Sequence, residues 1–386
     1  MNRFAQSLHL ELRHIKKRPR YLILTTLGIV FSYVFFLTFM SEGQPERLPI
    51  AVVDHDASYL SRRLCHEINA TQGVEVVAVY NNHSQARQAM QRQEIFAFLE
   101  IPKGTYSDIL SFKRPHIALY ANNTYLLGGS FTYKSLATIS RLASGAVQRE
   151  ILRKKGYTDQ AISGMIQPIE LDTHTLSNPT ANYQPYILTT MLPGIIGLMT
   201  LLMSVFVIHN ELKRSPTGRL REMRDYPISS IWGQLFPYTF WFSLLMIMGN
   251  VVLFGFFHFT LLGSFWTLVI ASVLFIVALQ SMAVFLVGLL PDMHIAVCIG
   301  AIYGTLAFTM SGFSFPVCSM PSYMQGFSAI FPLRHYYLTC SEVAYFDSPA
   351  VQYLPHLVVL LAFTAMSFVG MMLIRKQINN RVSCLQ

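Results

Sequence analysis

Charge is what this chain has least of. Asp, Glu, Lys and Arg make up 13% of its 386 residues, about half the share of an ordinary soluble domain. Reactive clusters are scarce as well. The five cysteines form no CxxC pair, and no HExxH sequence or close group of His and Cys occurs, so no metal site announces itself by local spacing. No GxxxxGK[ST] loop is present to cradle nucleotide phosphates.

Long apolar runs take the place of charge. Tyr21 to Met40 is uninterrupted by any ionisable Asp, Glu, Lys or Arg. About twenty such residues, at about 1.5 Å of helical rise each, span a hydrocarbon core. Five further runs reach spanning length: Ile187 to Ile208, Leu235 to Phe257, Phe265 to Leu290, Ile295 to Phe313 and Leu354 to Ile374. The expected fold class is therefore a polytopic α-helical membrane protein with six transmembrane helices. A cleaved signal peptide is the competing reading of the first run, but its apolar core would be shorter and would end at a small-residue cleavage site.

Charge, where it occurs, reports topology. Lys16, Lys17, Arg18 and Arg20 precede the first run, and Lys and Arg stay preferentially on the cytoplasmic side. This places residues 1–20 inside and the stretch 41–186 outside. Segments 1–20, 209–234, 291–294 and 375–386 hold 14 Lys and Arg against 5 Asp and Glu, which equals the whole net charge of +9. Basicity thus marks the cytoplasmic face, with both termini inside, and points to no nucleic-acid partner. Cys65, Cys318 and Cys340 fall outside, Cys298 in a helix and Cys384 inside. A Cys318–Cys340 bridge and two unpaired thiols both fit the sequence.

Residues 2–15 place Phe4, Leu8, Leu12 and Ile15 on one stripe, with Gln6, Glu11 and Arg13 off it. The spacing predicts an amphipathic helix on the cytoplasmic membrane surface, broken at Pro19, or otherwise a frayed tail. The stretch 41–186 predicts an α/β extracytoplasmic domain. Strands are expected over Leu48 to Val53, Val74 to Tyr80, Ile95 to Ile101 and Ile117 to Ala121, and helices over Ser58 to Ala70, Ser84 to Gln93 and Leu126 to Lys155. Asp56 or Ser58 suits an N-cap. Asn178, Pro179, Asn182 and Pro185 mark the return to the membrane. The triplet Asp54-His55-Asp56 reads as turn and cap chemistry before it reads as a metal or acid/base site.

None of the five later runs holds Asp, Glu, Lys or Arg. Buried ionisable relays of the kind ion-coupled transporters use are therefore missing, and energy for transport would come from another subunit. The only substantial cytoplasmic loop, 209–234, reads as a short polar helix ending at Pro227, and Lys213, Arg214, Arg219, Arg221 and Arg224 on it also fit simple positive-inside anchors. Within the spans, Asn250 and Gln280 suit either interhelical hydrogen bonding or a substrate conduit. The 28 Phe and 19 Tyr suit lipid-facing and interfacial packing first.

The loop's arrangement is Glu211, then Thr217-Gly218-Arg219-Leu220, then Pro227-Ile228-Ser229 and Gly233-Gln234-x-x-Pro237-Tyr238. It resembles the coupling segment of ABC transporter permeases of the type-2 export class. Those read E-x-x-x-G-T, a leucine, T/Y-P-I/V-S and G-K-x-x-P-Y; here Thr and Gly are reversed and Gln234 replaces Lys. The segments Ser311-Gly312-Phe313-x-Phe315-Pro316, Met320-Pro321 and Phe331-Pro332-Leu333-Arg334 resemble that class's outer half-helix hairpin, within the outer loop 314–353. The resemblance covers nearly the whole chain.

It implies a permease of the bacterial inner membrane, paired with an identical or different second permease and gripped by ABC ATP-binding subunits, which bind the ATP. The permease itself is then no enzyme and carries no cofactor. The resemblance implies ATPase coupling through Glu211, Thr217, Gly218, Arg219, Leu220 and Pro227, and an outer gate at Gly312, Pro316, Pro321 and Pro332. It further implies outward export of a lipid-like, drug-like or peptide substrate, contact with membrane lipid, and handover to a periplasmic adaptor. The alternative is a non-transporting membrane sensor or assembly protein whose external domain binds a ligand or partner, although no cytoplasmic segment is long enough for an output domain. A membrane enzyme is disfavoured because His258, His294, His335 and Glu342 fall on both faces.

Overall fold

The computed structural model describes the chain except residues 1–2, 42, 112, 168–177, 179–181, 216 and 385–386. Two compact units emerge, residues 42–174 and a unit made of residues 1–41 and 175–386.

The larger unit begins with α1 (Arg3–Lys17) and α2 (Arg20–Phe39). The stripe expected on α1 is only partly right. Ser7 and Glu11 are its buried residues, whereas Leu12 is exposed. The helix turns its polar side toward protein because, as shown below, that side finds hydrogen-bonding partners there.

The smaller unit follows, with β1 (Leu48–Asp54), α3 (Tyr59–Asn69), β2 (Val74–Tyr80), α4 (His83–Gln91), β3 (Ala97–Ile101), α5 (Thr105–Leu110), β4 (Ala118–Ala121), α6 (Leu126–Lys154) and α7 (Asp159–Ile166). The sheet order is β2-β1-β3-β4, with β4 antiparallel and the other pairs parallel. Strand alternation sends Ile50 and Leu99 to one face with Ile68 and Leu136. Val53 and Phe98 go to the other face with Ala86 and Ala89. Such two-layered covering is what apolar parallel strands require. Ser58 caps α3 through the Ser61 amide at 3.2 Å. Asp54 Oδ1 accepts from the amides of Asp56 and Ala57, and the Asp56 carboxylate accepts from those of Gly104 and Tyr106 at 2.8 and 3.1 Å. Desolvation opposes the charge on Asp56, yet the hydrogen bonds from Ser58 and these amides hold its carboxyl below the usual range. The acidic triplet therefore serves turn and cap. Helices α5 and α7 were not evident from sequence, being short and weakly patterned.

In the larger unit Asn182 caps α8 through the Gln184 amide and exchanges two hydrogen bonds with Asn178. Pro185 lies in the first turn of α8, and Pro179 lies outside the described residues. Then come α8 (Tyr183–Arg214), α9 (Thr217–Asp225), α10 (Pro227–Asn250), a π-helical extension (Val251–Phe256), α11 (Phe265–Leu289) and α12 (Met293–Met310). A 3-10 turn (Val317–Ser319), α13 (Ser322–Ser328), α14 (Pro332–Tyr345), α15 (Ala350–Ala362) and α16 (Thr364–Cys384) complete the chain. Among the described residues, six helical stretches are long and apolar enough to cross a membrane: Arg20–Phe39, Tyr183–Arg214, Pro227–Phe256, Phe265–Leu289, Met293–Met310 and Ala350–Asn380.

Helices α8 and α11 form the buried centre, while α2 and α12 bury little. Gly288 and Gly370 bring α11 and α16 together so closely that a Cβ on either would strike the other helix's backbone. The last span is two helices meeting at Phe363, and the second expected boundary moves outward because α8 continues through Arg214. Cys318 is exposed, Cys340 is buried, and both are free thiols.

Candidate functional site

One end of the larger unit gathers charges that the spans lack. Glu211 occupies the last turn of α8, and α9 follows after a short break. Helix α9 stays in place because Leu220 and Met223 are buried with Leu212, Ile231, Leu235, Ile374 and Ile378. That anchoring turns Arg219 inward. Its Nε lies 3.3 Å from Glu211 Oε1, its Nη1 2.9 Å from Glu222 Oε2, and its Nη2 donates to Ser7 Oγ at 3.0 Å. The side chains of Arg219 and Glu211 are only 10% and 12% exposed. Their attraction is therefore less screened than that of a surface pair.

A single guanidinium thus joins α8, α9 and α1. Four residues beyond Ser7, Glu11 accepts a hydrogen bond from Tyr238 of α10 at 2.8 Å. Burial pushes the Glu11 carboxyl above its usual range, and the Glu211 charge adds to the rise, against the opposing pull of Tyr238 and His14. Gly233 permits the contact between α1 and α10, since a Cβ there would lie 2.8 Å from the Phe4 carbonyl oxygen. Phe4 and Phe236 meet edge to face at 5.7 Å, and the Arg3 guanidinium sits 3.3 Å over the Tyr226 ring. Gln234, standing where the resemblance expects Lys, donates to the Val207 carbonyl of α8 at 3.2 Å.

The coupling residues read from sequence are distributed as follows. Glu211, Arg219 and Leu220 converge; Gly218 has open space around it; Thr217 opens α9, with its side chain outside the described residues. Pro227 begins α10 at its first turn, and the short polar helix α9 ends just before it, at Asp225. The contacts of Ser7, Glu11, Glu222 and Tyr238 were not foreseen, although Glu11 was placed off the apolar stripe of α1 and Tyr238 within the coupling-like segment. Glu11, His14 and Glu211 bring potential ligand atoms within 4.8 Å of one another. Arg219 and Tyr238 already answer the two carboxylates.

At the other end of α8, Tyr186 donates to the Phe313 carbonyl, and Tyr345 donates to the Pro185 carbonyl at 3.1 Å. The residues expected at an outer gate punctuate this hairpin. Gly312 has φ +100°, Pro316 precedes the 3-10 turn, Pro321 precedes α13 and Pro332 starts α14. Pro332 also lines a small apolar cleft with Gly194, Gly197, Phe275, Tyr303 and Gly304.

Between the ends, the Asn250 amide donates to Ser272 Oγ at 3.0 Å and to the Tyr336 hydroxyl at 3.1 Å. Gln280 accepts from Thr239 at 2.6 Å, and its Nε2 is buried with no hydrogen-bond partner among the described residues. Asn250 is thus occupied within the bundle, while Gln280 keeps a donor in reserve.

Six membrane-length helical stretches among the described residues, a short polar helix at one end and a proline-rich hairpin at the other are the setting for the sequence comparison. The model of the family described as ABC-2 family transporter protein matches residues 19–373. The chain belongs to that family. It is a multi-pass membrane protein, the membrane component of an ABC transporter, and ABC-2 permeases associate with an ABC ATP-binding subunit. No curated protein matches the chain by sequence. In this ABC-2 permease the matched region takes in α9 and the hairpin and leaves α1 outside.

Proposed function

We propose that this ABC-2 permease exports a lipid-like, drug-like or peptide substrate, driven by ATP-binding subunits seated on the end that carries α1 and α9. The observation that supports this most is the Arg219 junction, in which one side chain reaches α8, α9 and α1 together. Pressure on α9 is transmitted to the end of the central helix α8, and through α1 to α10. Packed helices respond to such a push by rigid-body movement. The chain binds no nucleotide itself; ATP sits in the partner.

In this reading the protein resides in the bacterial inner membrane, the termini and α9 are cytoplasmic, and the α/β unit and the hairpin of α13 and α14 are external. Two permeases, identical or different, pair to enclose the path. Substrate leaves past Gly312, Pro316, Pro321 and Pro332, and a periplasmic adaptor receives it. Single cysteines at Ser84 and Ser215 test the orientation: an impermeant thiol reagent applied outside labels the first and not the second. Glu211→Gln is expected to insert normally while transport falls and ATP hydrolysis persists. Unchanged transport removes Glu211 from the coupling role.

A further inference from the structure

His335 of α14 is buried, and its Nδ1 faces Nδ1 of His356, on α15, at 3.5 Å. The outward nitrogens have oxygen partners. His335 Nε2 lies 2.9 Å from the Ala329 carbonyl oxygen, which can only accept, so that nitrogen carries the ring hydrogen and Nδ1 is a bare lone pair. His356 Nε2 lies 3.6 Å from Glu342 Oε1.

A neutral His356 has one N–H to place. On Nε2 it faces the carboxylate, leaving two Nδ1 lone pairs opposed; on Nδ1 it satisfies His335 and leaves a bare nitrogen against the carboxylate. With Glu342 ionised, either neutral arrangement sets electron-rich atoms against each other, and one added cation relieves it. The second oxygen of Glu342 is also buried without a hydrogen-bond partner among the described residues.

We propose that His335 and His356 bind a divalent transition-metal ion of the zinc class through their Nδ1 atoms, with water filling the remaining positions. Two nitrogens on a tetrahedral zinc stand about 3.3 Å apart, close to the 3.5 Å observed. The Ala329 carbonyl and Glu342 then form the outer layer that orients ligating imidazoles through their other nitrogen. His356 and Glu342 keep 24% and 22% of their side chains exposed. Bound there, the ion would staple α14 to α15 in the hairpin.

The test uses the full-length chain, purified in detergent and freed of metal with a chelator. Zinc is titrated by calorimetry and cobalt by its visible absorption, and the melting temperature is followed with and without zinc. The expected result is one ion per chain and a zinc-dependent rise in melting temperature, both lost in His356→Gln and in His335→Gln. Glu342→Gln should weaken binding about 10- to 100-fold, and His14→Ala, at the opposite end, should leave it unchanged. Absence of binding, meaning a shared proton only, overturns the proposal. So does unaltered binding in His356→Gln, or loss of binding in His14→Ala.

Discussion

The Tyr238 hydroxyl donates to Glu11 Oε1 across 2.8 Å, fastening an amphipathic helix to the side of a membrane-length one. The contact gives α1 a second role beside lying along lipid: its polar edge is part of the protein interior. Glu11 is 6% exposed, and a carboxyl group so placed is tolerated because it has a donor in Tyr238 and the His14 ring 3.7 Å away.

Stability should respond to pH through Glu11. Burial raises its carboxyl in the folded chain, so between the ordinary glutamate value and the raised one the folded state binds more protons than the unfolded state. Stability contributed by this group therefore falls as pH increases through that window. Glu11→Gln keeps an acceptor for Tyr238 and removes the charge. It should raise the melting temperature at pH 8 relative to wild type, with the gain shrinking as pH approaches 5. A gain that grows on acidification contradicts the assignment.

The Arg219 junction should behave as a coupled unit. Losing the guanidinium leaves Glu211 poorly solvated and uncompensated, a change that costs about 3 kcal/mol when a largely buried pair is broken. Arg219→Gln should therefore destabilise clearly more than Arg221→Gln, whose side chain is exposed. In a double-mutant cycle with Glu211→Gln the interaction energy should be about 1–3 kcal/mol. Additive effects within error would show that the two side chains do not share an interaction.

Much of this architecture was legible beforehand, for physical reasons that differ by element. Spans such as Phe265–Leu289 were readable because hydrocarbon demands an unbroken apolar length, and β1 to β4 because apolar β-branched runs lie between turns. The grouping of Glu211, Arg219 and Leu220 came from the resemblance of their loop to the type-2 permease coupling segment. Ser7, Glu11 and Tyr238 were not readable, since their contacts span more than two hundred positions of sequence. A narrow apolar stripe on α1 pointed to lipid instead. At Pro227 the chain does both things proline permits, α9 stopping just before it and α10 starting on it.

Asn250 should prove structural. Its amide serves Ser272 and Tyr336, all three being buried where α10 passes into its π-helical extension. Asn250→Ala should cost about 1–3 kcal/mol by orphaning these hydroxyls, seen as a lower melting temperature in detergent. The double variant Asn250→Ala/Ser272→Ala should lose less than the sum of the single losses. Full stability in Asn250→Ala would free the amide for a substrate role.

Site-specific photocrosslinking tests the central claim most directly, because it asks where an ATP-binding subunit touches the permease. A photoreactive residue is placed at Arg221, exposed on α9, or at Tyr323, exposed on α13 at the opposite end, and the chain is illuminated with the ATP-binding subunit present. The expected result is a crosslink to that subunit from position 221 and none from position 323. A crosslink from 323, or none from 221, would contradict the account.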